Sequence, residues 1–135
     1  MIYTITEFFL MLILRVISGA RKFCPHRYAA MQRWFDFSRS TLSQLEPKLL
    51  RMFHWPLGPR KTTPVCPVEV AINFTPSTSA QSYTSSSRSC SQPAWFRMPF
   101  FLDRMGPKYS EWTTSAHEAR PGHHLQSQGY VENFL

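Results

Sequence analysis

The feature that most restricts the fold of this chain is a cluster of prolines near its middle. Proline lacks a backbone N–H and fixes its own φ, so it interrupts helices, and it also disfavours helical geometry in the residue before it. Between residues 55 and 67 the cluster comprises Pro56, Pro59, Pro64 and Pro67. This stretch must be extended or turning, and helices are expected on either side of it.

Upstream of the prolines, residues 28–53 have apolar side chains at three-to-four-residue spacing, which is typical of amphipathic helix. The apolar positions are Tyr28, Met31, Trp34, Phe35, Leu42, Leu45, Leu49, Leu50 and Phe53. Ser40 or Thr41 can cap a second helix within this segment, and Pro47 fits best in the first turn of a helix. We therefore expect two helices here, with their aromatic side chains in a core.

Downstream of the prolines the pattern changes to short strands. A half-buried strand is predicted between residues 65 and 74, because apolar side chains alternate there at Val68, Val70 and Ile72. Residues 96–102 are apolar around Pro99, which predicts a strand at a sheet edge or lining a cleft. Between them, residues 75–91 are mainly Ser and Thr with Tyr83 as the only large apolar side chain, so a mobile loop is expected.

The C-terminal part of the chain is predicted to be helical over residues 110–134, with Ser110 able to cap its start. Pro121 disfavours helical geometry at Arg120, and Gly122 permits unusual dihedral angles. A break or bulge should therefore interrupt this helix. Taken together, the patterns predict a mainly α, α-rich α+β chain with a few short strands and one Ser/Thr-rich loop.

Charge and cysteine content exclude several classes of site. The net charge is +7, but the 15 Lys and Arg are spread along the chain and form no patch that would suit nucleic acid, so nucleic acid is not an expected partner. The three cysteines, Cys24, Cys66 and Cys90, are widely spaced and form no CxxC pair. We expect free structural thiols rather than a disulfide framework or a cysteine zinc site.

The N-terminal residues 1–20 contain an apolar run from Phe8 to Leu14, which partly resembles a signal peptide. Glu7 precedes the run without any Lys or Arg, and the run is far shorter than the roughly 18 residues that a membrane-spanning helix needs. A buried or interfacial helix fits equally well. Membrane association through residues 1–20 stays open, as does the choice between a secreted, membrane-associated or cytoplasmic location.

A histidine-rich string near the C-terminus has the composition of a metal site: His117-Glu118-Ala119-Arg120-Pro121-Gly122-His123-His124. Zinc peptidases with paired histidines four residues apart on a helix use the Glu after the first histidine as a general base. Here the next histidines follow after six and seven residues. On an unbroken helix His124 would lie about 10 Å along the axis from His117, too far to share one ion. With the helix interrupted, either His123 or His124 can reach a metal that His117 holds.

Glu118 is the candidate catalytic residue of this string, because it follows a metal ligand and can take a proton from a metal-bound water and pass it to a leaving amine. The alternative is that the three histidines and Glu118 are ordinary surface residues. The Pro-Gly-His-His sequence at the end of a capped helix favours the metal site, with His117, His123 and His124 as the candidate ligands.

At this string the chain resembles the family known as domain of unknown function eight-eight-five, whose members carry His-Glu-x-x-Pro-Gly-His-His followed by Leu-Gln. Residues 117–126 match that pattern throughout. Looser similarity extends upstream, at residues 46–50, Phe53, Pro56, residues 67–70 and residues 107–109.

The resemblance implies a long, mainly helical, metal-dependent and peptidase-like hydrolase. It implies zinc bound by His117 and one of the paired histidines, of which the family pattern favours His123, with Glu118 as base and a peptide or small amide as substrate. Family members take a further acidic ligand from a downstream Glu-Gly-Trp-like segment, and Glu132 belongs to a different motif. The site is therefore expected to be incomplete.

The resemblance also implies a truncated member, with an N-terminal apolar segment and linker over residues 1–27 and a partial metallopeptidase-like domain over residues 28–135. The rival hypothesis is a non-catalytic membrane-associated or interaction protein anchored by the apolar N-terminal run. The sequence does not indicate an oligomeric state.

Overall fold

The computed structural model describes residues 19, 25–53, 63–78, 80–101 and 106–135. The chain forms two compact units, Met1–Arg33 and Trp34–Leu135. The expected N-terminal segment and its apolar run lie almost entirely outside the described residues. Within the described ranges, no helix is long and apolar enough to cross a membrane.

Helix α1 spans Pro25–Met52 without a break, so the prediction of two helices in this region is wrong. Pro47 lies inside α1, where it costs about 3 kcal/mol by removing a backbone hydrogen bond and crowding the preceding turn. Before and after Pro47 in the helix, the side chains of Leu42, Leu45 and Leu49 are buried. Burial of each one stabilises the fold by about 1.5–3 kcal/mol. The burial of this face outweighs the local penalty, and the helix continues.

In the part of the chain that the structure describes, three short strands form one sheet in the order β1-β3-β2. Their bounds are Val68–Asn73 for β1, Ser82–Thr84 for β2 and Ala94–Pro99 for β3. Strand β3 pairs in parallel with β1 and antiparallel with β2. The predicted strand at 65–74 is confirmed as β1, and the helices with a small sheet agree with a mixed α+β chain.

Two expectations for the sheet are corrected. Strand β3 is central rather than at an edge. The N–H groups of Ala94 and Phe100 donate to the β1 side, so the missing N–H of Pro99 would face the β2 side, where pairing ends at Arg97 and no hydrogen bond is lost. The Ser/Thr-rich residues 75–91, expected to be a loop, contain strand β2. Tyr83 in β2 pairs with the fully buried Phe96, so packing against β3 provides the apolar contact that the segment itself lacks.

The cysteines also differ from expectation, because Cys66 and Cys90 form a disulfide with their Cα atoms 5.2 Å apart. The bond joins the residues that precede β1 to the turn that precedes β3. The two cysteines are 24 residues apart, and the pairing of β1 with β3 brings their segments together.

Helix α2 spans Lys108–Glu118, a π-helical turn follows at His124–Gln128, and helix α3 ends the chain at Gly129–Phe134. Helix α2 begins earlier than predicted, with Pro107 rather than Ser110 at its cap position. The buried Glu111 carboxylate accepts the Gly106 N–H at 2.8 Å. The Glu111 side chain, on the fourth residue of α2, therefore stabilises the start of the helix. This is the role that the sequence assigned to Ser110.

Candidate metal centre

Helix α2 presents the histidine-rich string at its C-terminal end. The face of α2 that points into the core carries Glu111 and Ser115, and Ala119 after the helix is also buried. Because His117 lies about half a turn away from this face, it is exposed, and Glu118 at the last position of the helix is half-buried. The two candidate residues therefore lie at the surface of the described chain.

The predicted break after Glu118 is confirmed. Ala119 leaves helical geometry, and the Arg120–Pro121 peptide bond is cis. The Ala119 carbonyl then accepts the N–H of His124 at 3.0 Å, a five-residue step that begins the π-helical turn. The chain resumes a helical path after turning back toward the end of α2.

Gly122 permits this return through its lack of a side chain rather than through its dihedral angles. Its φ lies outside the left-handed region, but a Cβ at this position would overlap the carbonyl group of His117 and lie 2.7 Å from the Ala116 carbonyl oxygen. Only glycine allows so close an approach of two backbone segments. The contact brings residue 123 beside residue 117.

The result is a cluster of three potential ligands: His117, Glu118 and His123. One ligand atom from each lies within 4.8 Å of the others. The two imidazole rings are 4.8 Å apart between centroids and nearly perpendicular, at 77°. Imidazole nitrogens are ligands that zinc favours, and the two histidines present a pair of them with a carboxylate alongside, so these residues fit the ion that the resemblance implies.

His124 is directed away from this cluster and into the core. It is 1% exposed, its Nε2 lies 2.9 Å from the Cys66 carbonyl oxygen, and its Nδ1 lies 2.8 Å from the Tyr83 hydroxyl. The carbonyl can only accept, so Nε2 carries the proton and Nδ1 accepts from the Tyr83 hydroxyl. Both ring nitrogens of His124 are thus engaged, and of the paired histidines it is His123 that lies beside His117.

Burial determines the protonation states of this pair. Desolvation, together with the nearby Arg120 charge, lowers the pKa of His124 to about 4. Desolvation also raises the pKa of Tyr83 to about 12. At neutral pH the pair is a neutral phenol that donates to a neutral imidazole.

Arg120, in the middle of the histidine-rich string, contacts other parts of the fold and not the cluster of His117, Glu118 and His123. Its buried guanidinium pairs with Glu46 of α1 through Nη1 at 2.7 Å, and its Nη2 donates to the Cys66 carbonyl at 3.3 Å. The Cys66 carbonyl thus accepts hydrogen bonds from both Arg120 and His124. The segment before β1 anchors the turn on which His123 lies.

Glu132 is not available as a third ligand to the cluster. Its carboxylate accepts the N–H groups of Val65 at 2.7 Å and Cys66 at 2.9 Å, and Gln128 Nε2 at 3.1 Å. Glu132 also lies beside Cys66 and Cys90 in a second group of potential ligands, but the disulfide occupies both sulfur atoms.

Comparison with known proteins gives a family but no characterised relative. Residues 5–134 match the model of a family described as bacterial protein of unknown function (DUF885). The chain belongs to this family. No curated protein matches it, and no solved structure does. The family resemblance drawn from the histidine-rich string is thereby confirmed, although the family description gives no activity.

In this DUF885 chain the residues that hold the cluster in place were not apparent from the sequence. The main ones are Tyr83, Gln128 and the Cys66 carbonyl. Gln128 is fully buried, and its Oε1 accepts the Ser86 N–H at 2.7 Å. The one sequence signal that could have indicated such a role is Tyr83, the lone aromatic side chain in a Ser/Thr-rich segment.

Proposed function

We propose that this DUF885 chain carries the metal-binding and catalytic segment of a zinc-dependent, peptidase-like hydrolase. The observation that supports the proposal is the cluster of His117, Glu118 and His123, with ligand atoms within 4.8 Å of one another. The chain makes a tight backbone contact at Gly122 that brings the two histidines together. Histidines without a shared role would not require a backbone contact that places them side by side.

In this proposal His117 and His123 hold the ion, and His124 supports the turn. When bound, zinc supplies a Lewis acid that polarises a carbonyl group and acidifies water. Both histidines would bind the ion through an unprotonated imidazole nitrogen.

Glu118 is the general base of the proposed reaction. Its carboxylate lies within 4.8 Å of the ligand atoms of both histidines, close enough to take a proton from the attacking water. After the amide carbon is attacked, Glu118 returns that proton to the leaving nitrogen, which departs as an amine. The substrate class that this chemistry fits is a peptide or a small amide.

Two histidines bind zinc more weakly than three protein ligands do. Glu132, the acidic residue that follows the string, is already held by three N–H donors. We therefore propose that Glu132 is not the acidic ligand that the family resemblance implies, and that zinc binding by His117 and His123 alone is weak in this chain.

The test is equilibrium dialysis of the wild-type chain and of the His117→Ala/His123→Ala double variant against buffer that contains free zinc, at a concentration high enough to fill a weak site. The proposal predicts that zinc is bound by the wild type and lost in the double variant. His26→Ala, which removes an exposed histidine of α1, is the matched control and should retain the metal. Equal zinc content in the wild type and the double variant, including none in either, would contradict the proposal.

A second variant separates binding from catalysis. Glu118→Gln keeps the size of the side chain but cannot accept the proton, so zinc content should be unchanged while cleavage of peptide or amide substrates is lost. Full hydrolytic activity in Glu118→Gln would rule out Glu118 as the base.

A further inference from the structure

Tyr83 of strand β2 contacts both histidines of the paired motif. Its hydroxyl donates to His124 Nδ1 at 2.8 Å, and its ring lies edge-on to the His124 ring with centroids 5.8 Å apart. The same ring is stacked at 29° to the ring of His123, with centroids 6.3 Å apart. A single side chain from the Ser/Thr-rich segment thus reaches the candidate ligand and its neighbour.

The position of Tyr83 is itself well defined by the sheet. Tyr83 pairs with the fully buried Phe96 of β3, and its neighbour Thr84 accepts a hydrogen bond from Arg97 at 2.6 Å. Two residues past the end of β2, the Ser86 N–H is bound by Gln128 of the π-helical turn at 2.7 Å. The strand is therefore attached to β3 on one side and to the histidine-bearing turn at its end.

His123 needs such support, because its other contacts leave its ring loosely held. Its Nδ1 lies 3.3 Å from Gln126 Oε1, an exposed and long hydrogen bond. An amide oxygen can only accept, so Nδ1 carries the proton and Nε2 keeps the lone pair that a metal requires. The His123 ring also contacts the ring of His117, with centroids 4.8 Å apart, and the ring of Tyr83, with centroids 6.3 Å apart.

We propose that Tyr83 is a positioning residue of the metal centre, which orients the His123 imidazole by ring stacking and anchors its backbone through the hydrogen bond to His124. This inference rests on the proposed function and adds a residue to it. Residues that orient metal ligands without touching the metal change metal affinity by roughly 10–100-fold when they are replaced. Tyr83 does not contact the reacting atoms and is not a catalytic residue.

The two contacts can be separated by substitution. Tyr83→Phe keeps the ring beside His123 and removes only the hydroxyl that binds His124. Tyr83→Leu removes the aromatic ring as well. If stacking and anchoring both position His123, metal affinity should fall in Tyr83→Phe and fall further in Tyr83→Leu.

The experiment is a cobalt(II) titration of the full chain, followed by the visible absorption that cobalt acquires in a protein site. We expect the dissociation constant to rise about tenfold or more in Tyr83→Leu, with a smaller rise in Tyr83→Phe. Tyr109→Leu, at a 76% exposed tyrosine of α2, is the matched control and should bind like the wild type. At saturating cobalt the spectrum should also change in Tyr83→Leu, because it reports ligand geometry, which a loss of stability alone does not alter.

The outcomes distinguish this inference from the function on which it rests. If the wild type binds cobalt and both Tyr83 variants bind with the same affinity and spectrum, Tyr83 has no positioning role and the proposed function stands. If the wild type binds neither cobalt nor zinc, both proposals fail. Should Tyr83→Leu not fold, Tyr83→Phe still decides the question, since loss of one hydroxyl leaves the packing of the ring intact.

Discussion

The Cα of Gly122 packs against the carbonyl group of His117, at a distance that leaves no room for a side chain. Through this contact the backbone, which leaves helix α2 at Glu118, returns to the end of the same helix. The imidazole of His123 then lies 4.8 Å from that of His117 between ring centroids. This backbone approach places the two imidazoles of the candidate metal centre beside each other.

Replacing Gly122 by Ala should therefore separate the two histidines. The added Cβ would overlap the His117 carbonyl, and because backbone atoms cannot rotate away, the turn must move. We expect a loss of zinc binding and a fall of about 2 kcal/mol or more in the free energy of unfolding, measured by urea denaturation. Gly129→Ala is the control, since a Cβ there meets only Pro64 Cγ at 4.0 Å. Retention of metal in Gly122→Ala would show that the contact is not needed.

The Cys66–Cys90 disulfide should contribute substantially to stability. It closes a loop across a sequence separation of 24 residues, for which chain entropy predicts about 3.5 kcal/mol. Cys90→Ala should lower the midpoint of thermal unfolding, and dithiothreitol should lower that of the wild type by a similar amount. Dithiothreitol should have no further effect on Cys90→Ala. An unchanged midpoint in reduced wild-type protein would argue against the bond.

Stability should fall as the pH is lowered from about 6.5 to about 4, because the pKa of His124 is lowered to about 4 in the folded chain. In this window the unfolded chain binds a proton at residue 124 and the folded chain does not, so unfolding is favoured by up to about 3 kcal/mol. The check is urea denaturation of the metal-free chain at pH 7.5 and pH 4.5. His124→Gln should be less stable at pH 7.5 and should lack this part of the pH dependence, whereas His26→Ala should keep it.

Glu46 should stabilise the turn through Arg120. The Arg120 side chain is 8% exposed and that of Glu46 is 58% exposed, so the pair is intermediate between a surface and a buried ion pair. Glu46→Gln leaves a buried guanidinium without a counter-charge, and we expect a loss of about 2 kcal/mol in unfolding free energy. Glu69→Gln, at an exposed carboxylate of β1, should change stability by less than about 0.5 kcal/mol. If the two substitutions lowered the free energy of unfolding by the same amount, the ion pair between Glu46 and Arg120 would not stabilise the fold.

Local features of the chain were predictable where short-range chemistry decides them. The alternation of Val68, Val70 and Ile72 predicted β1, because side chains of a strand point alternately to its two faces. Pro121 predicted the break after α2, because proline disfavours helical geometry in the residue before it. Pro47 shows the limit of such rules, since the burial of α1 overrode its local preference.

The amino-acid sequence by itself determined that His117, Glu118 and one of two adjacent histidines could form a metal centre. The tertiary structure alone decided that His123 lies in the cluster and that His124 is buried against Cys66 and Tyr83. It also decided the disulfide between Cys66 and Cys90. These outcomes depend on contacts between segments far apart in the chain, and the burial and hydrogen bonding that select them exist only once the sheet has formed.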